Sequence, residues 1–492
     1  MKMSFFPHRR LVGALLFVAL PQFSLAEEAA PVAEAPETDL RSSVIMALGA
    51  NYLVRVDTLA VEQADARVSG AWGAYDPALT AETVRFRQAA KDGTYLQGEG
   101  RYSNVGVELA APTGTSASVK AYDYGLKDIP AGQDSHYTGV YLGIRQNLLR
   151  GFGVGPNMAP IRVASKNAAI SREVFREEVS QLVENVQFAY FDALLAAEYA
   201  RVAEESCFLA EKLCGENEKR AAIGSMAGSD LFQAKAELAA RRESLYEARR
   251  SYGDARNALR LLMAGDAAAL KTMDFTLAAL PDPEAVTVDP KADYALALSL
   301  RPDYRKAVLG LERDQIDALR VSNNALPDLQ AFAGLYMQGS GDSLSRSYSN
   351  ARDVEKKDFE AGFTFRYSVP NRAGWAEKAV ARRQAKIARL TLRQLEMEIF
   401  VSLDDGARRI ECDWQRLATA RESRELAEQS LDAEQKLYDA GKSSTFVILR
   451  LQADLMNARL REYVAGCDYR KAVVEYRRLC GTILDGWNIV TP

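Results

Sequence analysis

Residues able to hold a metal or drive acid–base chemistry are sparse in this chain. Its 492 residues include two histidines, His8 and His136, and five cysteines, Cys207, Cys214, Cys412, Cys467 and Cys480. A histidine-based metal site or catalytic triad is close to excluded by that count. Cys207 and Cys214 are seven residues apart, roughly 10 Å along a helix and beyond the Cα separation of a disulfide. No C-x-x-C pair supports zinc or redox chemistry. All five cysteines fall in helical sequence and read as small buried hydrophobes. Gly151-Phe152-Gly153-Val154-Gly155 sits between a strand and a helix, as a dinucleotide loop would, but no parallel βαβ series follows and the next element is far too long. No Ser, Cys or carboxylate constellation rises above the background of a charged helical surface. The expectation is a protein that is not an enzyme and needs no cofactor. Lys and Arg total 62 against 66 Asp and Glu, a net charge of -4. That balance gives no basic field for nucleic acid and suits long solvated helices.

The elements carrying these residues begin after a leader. Residues 1–26 read as a signal peptide: Lys2, Arg9 and Arg10, then the apolar run Leu11 to Leu20, then Ser24-Leu25-Ala26 as a cleavage site. Ten apolar residues are too few to span a bilayer as a helix. Cleavage removes three positive charges, leaving -4 - 3 = -7. Residues 27–39 form a linker. No later run reaches about 18 apolar residues, so the expectation is an exported protein without a transmembrane helix.

The strongest signal is an internal duplication. A shift of 217 pairs Glu205 with Glu422, Gly224 with Gly441, Ala236 with Ala453, Arg242 with Arg459 and Tyr252 with Tyr469. Upstream, a shift of 250 pairs Ala47 with Ala297, Glu62 with Glu312 and Pro77 with Pro327. A period this long means a duplicated domain-sized unit. The first unit, 40–264, predicts a helix over 40–75, strands within 79–148 and a long helical hairpin over 160–263. The second, 292–482, predicts a helix over 292–325, strands within 328–368 around a Ser- and Gly-rich loop at 339–350, and a hairpin over 375–480. Residues 265–291, with Pro281, Pro283 and Pro290, form a small domain at mid-height, and 483–492 are a tail. About 60 helical residues span roughly 90 Å, and such narrow helices need coiled-coil partners. The 229–263 and 292–325 helices, stacked end to end, would match one long helix.

The strands alternate. Phe359, Ala361, Phe363, Phe365 and Tyr367 share one face, opposite Glu360, Gly362, Thr364 and Arg366. Val105, Val107, Leu109 and Ala111 oppose Gly106, Glu108 and Ala110; Val140, Leu142 and Ile144 oppose Tyr141, Gly143 and Arg145. Such alternation fits a soluble sandwich or a transmembrane barrel, apolar toward lipid and polar toward the lumen. The leader and strands near ten residues favour the barrel. A few strands cannot close one, and open edges are not tolerated in lipid, so closure needs several chains.

At this point the chain resembles the TolC family of outer-membrane efflux and secretion channels, over about residues 40–485. The resemblance rests on Ala71-Trp72-Gly73-Ala74-Tyr75-Asp76-Pro77, on Arg145 through Gly153, and on Ala189-Tyr190-Phe191-Asp192. It extends to Gly224 with Asp230-Leu231, to Arg301-Pro302-Asp303, and to Tyr438-Asp439-Ala440-Gly441. It implies a mainly α fold with β: duplicated coiled-coil helices forming a periplasmic tunnel, and four strands per copy in a twelve-stranded barrel shared by a homotrimer in the outer membrane. It also implies a periplasmic adaptor docked on the helical tips and, through it, an inner-membrane pump. The chain would serve a tripartite efflux pump or a type I secretion system. A periplasmic coiled-coil adaptor or structural protein without its own pore is the alternative.

The tip residues implied for adaptor docking are Gly224, Ser225, Gly441, Lys442 and Ser443, and the candidate gate is Asp230, Val447 and Arg450. Two departures stand out. Acidic rings often line the aperture in this family, but Val447 and Arg450 occupy the matching positions, and Ser443 replaces the basic partner of Asp230. Asp230 either meets the adjacent Lys442 or caps its helix after Gly228-Ser229. The first unit also holds extra strand-like sequence, 104–111 and 115–122, around Pro112-Thr113-Gly114. This hairpin either enlarges the barrel or lies outside it.

Overall fold

A computed structural model of the chain describes residues 37–88, 98–128, 133–223, 228–354, 356–440, 442–443 and 445–489. The expected signal peptide and most of the 27–39 linker lie outside them. The chain opens with β1 (Glu37–Thr38), α1 (Leu40–Ala50) and α2 (Tyr52–Trp72), followed by β2 (Ala78–Gln88), β3 (Gly98–Ala110), β4 (Thr115–Asp128) and β5 (Gln133–Asn147). Next come α3 (Val154–Ala222), α4 (Gly228–Met263), α5 (Ala267–Thr272) and β6 (Thr276–Leu277). The second half holds α6 (Pro290–Leu300), α7 (Pro302–Asn324), β7 (Asp328–Gly341), α8 (Leu344–Arg352), β8 (Lys356–Arg366), α9 (Arg372–Asp439) and α10 (Thr445–Cys480).

Each opening helix is two helices, broken at Asn51 and at Arg301, positions 250 apart (301 - 51). Asn51 is extended and caps α2, its Oδ1 accepting from Leu53 N at 2.8 Å while its amide donates to the Leu262 carbonyl. Arg301 precedes a proline, which forces it out of the helical region. Its guanidinium donates to Asp303 at 2.7 Å and to the Leu479 carbonyl at 3.1 Å, tying this break to the end of α10. Burial alone would raise the Asp303 carboxyl; the hydrogen bonds and charge of Arg301 hold it below the usual range.

With 69 residues, α3 is about 104 Å long at 1.5 Å per residue. It starts before the expected position 160 and runs through Pro160 in its second turn, at the loss of one ladder bond. Toward the sheet end, α7 packs on it through Lys306–Glu177 and Lys166–Glu312. Toward the tip, α4 does so through Arg249–Glu204, Arg242–Glu211 and Lys235–Glu218. The two helices thus share the length of one long partner. In the second half, α9 and α10 are laced by Arg409–Glu475, Arg416–Asp468 and Arg424–Glu462.

The core lies at mid-height. Val183, Val186, Tyr190 and Ala193 of α3 are fully buried with Val44, Ala47, Leu259 and Met263. The Tyr190 hydroxyl lies 2.8 Å from the Ala278 carbonyl and 3.1 Å from that of Thr38, so it pins the parallel pair β1–β6. Burial pushes this phenol up to about 12. Arg470 and Tyr469 of α10 hold the segment after β6, through the Pro281 carbonyl and both Glu284 and Val286 backbone groups.

At the far end, six strands form one antiparallel sheet in the order β2-β3-β4-β5-β7-β8. Its edges, β2 and β8, are unpaired among the described residues. The Ser- and Gly-rich stretch expected as a loop at 339–350 instead holds the end of β7 and most of α8, which folds back over β7 and β5. Ser347 is fully buried and donates to the Gly339 carbonyl at 3.0 Å. Only glycine fits at 339, because a Cβ there would sit 2.0 Å from Ala351 N.

Candidate functional site

The strand registers assign a face to every residue of the sheet. Leu79 pairs Val107, Val107 pairs Val119, Val119 pairs Leu142, Leu142 pairs Leu335, and Leu335 pairs Phe359. One continuous row crosses all six strands with no polar residue. On one side Leu109, Ala117, Ile144, Ala333 and Ala361 form a second apolar row; on the other Ala81, Val105, Ala121, Val140 and Met337 do so up to Lys357 on β8, while the row through Ala331–Phe363 begins at the polar Thr115 and Gln146. Leu79, Val107, Val119, Leu142, Phe359, Phe363 and Phe365 are large and exposed, whereas Leu335 is half-buried. Solvent water would not favour that arrangement; lipid would. The alternation read around 105–111, 140–145 and 359–366 therefore describes one apolar face, although Tyr367 falls just beyond β8. Beyond the apolar band toward the hairpin tips, the same face turns to Thr83, Ser103, Asp123 and Thr138.

The opposite face lines a groove of about 850 Å³ and is rich in tyrosine. Tyr141 and Tyr336 rings lie 4.6 Å apart, and both hydroxyls donate to Glu360. Tyr122 donates to Gln338 at 2.9 Å and meets Tyr336 edge-on. Lys120 pairs with Glu108 at 2.6 Å. This polar inner wall was legible only as alternation; its aromatic clustering needs the cross-strand register.

At the other end, α3 and α4 make one tip, α9 and α10 the second. Gly224, Ser225 and Gly441 lie outside the described residues. Asp230 belongs to the first turn of α4, but its side chain lies outside them too, so neither its capping nor its contact with Lys442 is described. Lys442 is exposed, and its amide closes α9 by donating to Leu437 O at 2.9 Å. Ser443 hydrogen-bonds Glu434 of its own hairpin. Val447 and Arg450 are exposed one turn apart on α10, with Ile448 buried between them. Among the described residues Arg450 makes no ion pair.

The cysteines all lie in helices and are free. Cys207, Cys214, Cys467 and Cys480 are buried, whereas Cys412 is exposed, contrary to the expectation of burial for all five. Burial pushes the Cys467 thiol up to about 11 against the pull of Arg470 and Lys471, and burial with Asp293 does the same to Cys480. No group of His, Cys, Asp and Glu among the described residues could hold a metal ion. No single described helix is long and apolar enough to cross a membrane.

An amphipathic sheet with unpaired edges, mounted on helices about 100 Å long, defines a protein with one end in a bilayer and the other far outside it. The family model for outer membrane efflux proteins matches residues 47–265 and 294–482. The chain belongs to the outer membrane efflux protein family. It is accordingly an outer-membrane channel protein with a long periplasmic helical part, and not an enzyme. Among solved structures it is similar to the outer-membrane channel OprN, at 17% identity and a TM-score of 0.69, covering 92% of this chain and 91% of that one. The CmeC outer membrane channel of Campylobacter jejuni gives 15% identity and 0.67, covering 96% and 94%. CusC gives 16% and 0.68, covering 94% and 96%. No curated protein matches the chain.

Proposed function

We propose that three copies of this chain form the outlet of a tripartite efflux pump. Their strands close one outer-membrane barrel and their helices one periplasmic tunnel. The observation that carries this reading is the six-stranded sheet, which bears an apolar band across one face and is open at both edges among the described residues. Such edges are costly in lipid unless further strands cover them, and more copies of the same sheet supply strands of matching amphipathicity. The tips at Gly224–Ser225 and Gly441–Lys442–Ser443 dock on a periplasmic adaptor, and through it on an inner-membrane pump. The leader at 1–26 directs export, with cleavage after Ala26. Family membership and the fold shared with outer membrane channels support the efflux role.

The test is fractionation followed by crosslinking from the tip. Detergent-dependent extraction, a heat-modifiable trimer band, and a Lys442→Cys crosslink to an adaptor whose loss raises drug sensitivity support the proposal. A water-soluble monomer refutes the channel. A trimer crosslinked only to the adaptor of a protein-exporting system, with drug sensitivity unchanged, reassigns it to type I secretion.

A further inference from the structure

The two halves of the chain contribute unequally to the sheet. Under the 250-residue shift β2 corresponds to β7 (328 - 78), and β5 and β8 each lead into a long helix. That leaves the hairpin β3–β4 without a counterpart. It is nonetheless no appendage. Its strands occupy the middle of the first half, β3 paired to β2 from Gly98 to Glu108 and β4 to β5 from Thr115 to Asp128. Val105, Val107, Leu109, Ala117, Val119 and Ala121 carry the apolar band across it. Its turn is seated where the sheet meets α3. Gly153 N donates to the Thr113 carbonyl and Asn147 N to that of Gly114, both at 3.0 Å. Gly114 has φ +81°, and a Cβ on it would lie 2.1 Å from the Gly151 carbonyl oxygen.

The geometry points to a barrel of eighteen strands, closed when the β2 edge of one copy pairs with the β8 edge of the next, in place of the twelve that four strands per copy would make. This rests on the trimer proposed above. Strand direction permits it: adjacent strands alternate, so with six strands β8 runs opposite to β2 and meets the next copy's β2 antiparallel. One added strand would reverse that relation, whereas a hairpin preserves it. Faces permit it too, since Phe359, Phe363 and Phe365 continue onto Leu79 and Ala81 on the lipid side. With strands about 4.8 Å apart and tilted by about 40°, eighteen strands give a backbone diameter of roughly 36 Å, against roughly 24 Å for twelve. The cross-section grows about 2.2-fold, because diameter scales with strand number. Part of the added space is taken by Tyr102, Tyr122 and Tyr124 of the hairpin, which join the tyrosines of β5 and β7 on the inner wall.

Spin labels in lipid nanodiscs test this, in a chain carrying Cys412→Ser to remove the exposed thiol. Labels at Val119→Cys should be relaxed by oxygen and shielded from a water-soluble nickel chelate, while labels at the adjacent Lys120→Cys should respond the opposite way. Single-particle images of the unaltered trimer should show a ring about 1.5 times wider than a twelve-stranded one. A stable trimer with Val119 open to nickel, or with a twelve-strand ring, overturns the eighteen-strand closure alone. Recovery only as a monomer overturns the trimer and the closure with it.

Discussion

Phe363 is the sharpest place to test which face of the sheet meets lipid. Its ring is 75% exposed on the apolar face, and it pairs with Ala331. It stands two residues from mid-strand Ala361, so about 7 Å along the strand. An arginine on the lipid face costs about 2–4 kcal/mol at the midplane and less toward the interface, so Phe363→Arg should cost about 2 kcal/mol for the charge. Loss of the ring from an apolar surrounding adds roughly 2 kcal/mol. Together these are about 4 kcal/mol per copy, repeated in every copy of the assembly. Thr364 is the control. It pairs with Gln330 and lines the tyrosine-rich opposite face, where an arginine stays hydrated and should cost within about 0.5 kcal/mol. The assay is the amount of heat-modifiable trimer in outer-membrane fractions. Phe363→Arg should nearly abolish the band and Thr364→Arg should leave it close to normal. Equal loss in both, or no loss in either, refutes the face assignment.

Four further outcomes are expected. Gly441→Val, which puts a β-branched residue in the stretch joining α9 to α10, should leave trimer and membrane insertion intact but abolish adaptor crosslinking and export; normal export with normal crosslinking counts against the tip as the docking surface. Arg450 is exposed on the first turns of α10, and three such charges near the axis would repel cations; Arg450→Asp should move the reversal potential in a salt gradient toward cation preference, more so at low salt, and an unmoved potential puts Arg450 off the conduction path. In the native protein at pH 8 a maleimide should modify Cys412 alone, since the Cys467 and Cys480 thiols, at about 11, hold roughly 100-fold less thiolate than an ordinary thiol. The folded chain keeps those protons longer than the unfolded chain, so their stabilisation is intact below the ordinary thiol range and falls as pH rises through about 11; a denaturation midpoint rising with pH between 9 and 11 would contradict this.

How much of this was open to sequence reading depended on the range of the interactions involved. Helix length, apolar spacing and the Pro and Gly breaks are local, so the long α3 and α9, the strand alternation and the duplication could be read from residues alone. Even the resemblance of Ala189-Tyr190-Phe191-Asp192 to a family motif was local, though not its reason. Tyr190 matters because its hydroxyl reaches Thr38 and Ala278, 152 and 88 residues away. The helix break at Asn51 was missed because its side chain is held by Leu262 at the end of another helix, whereas the break at Arg301 has a local cause in Pro302 as well as a distant partner in Leu479. Polar composition made the 339–350 stretch read as a loop, whereas burial of Ser347 against Gly339 makes part of it a helix.

Sequence by itself determined that this is an amphipathic, duplicated scaffold, because period and composition need no partner to be read. The place of the 98–128 hairpin was decided by tertiary structure alone. Alternation says which side chains share a face, but the same alternation serves a hairpin in the wall and one outside it. Only non-local pairing, Ala78–Gln88 on one side and Gln133–Gln146 on the other, selects the wall, since backbone hydrogen bonds between strands are indifferent to side-chain type and leave no mark on the sequence.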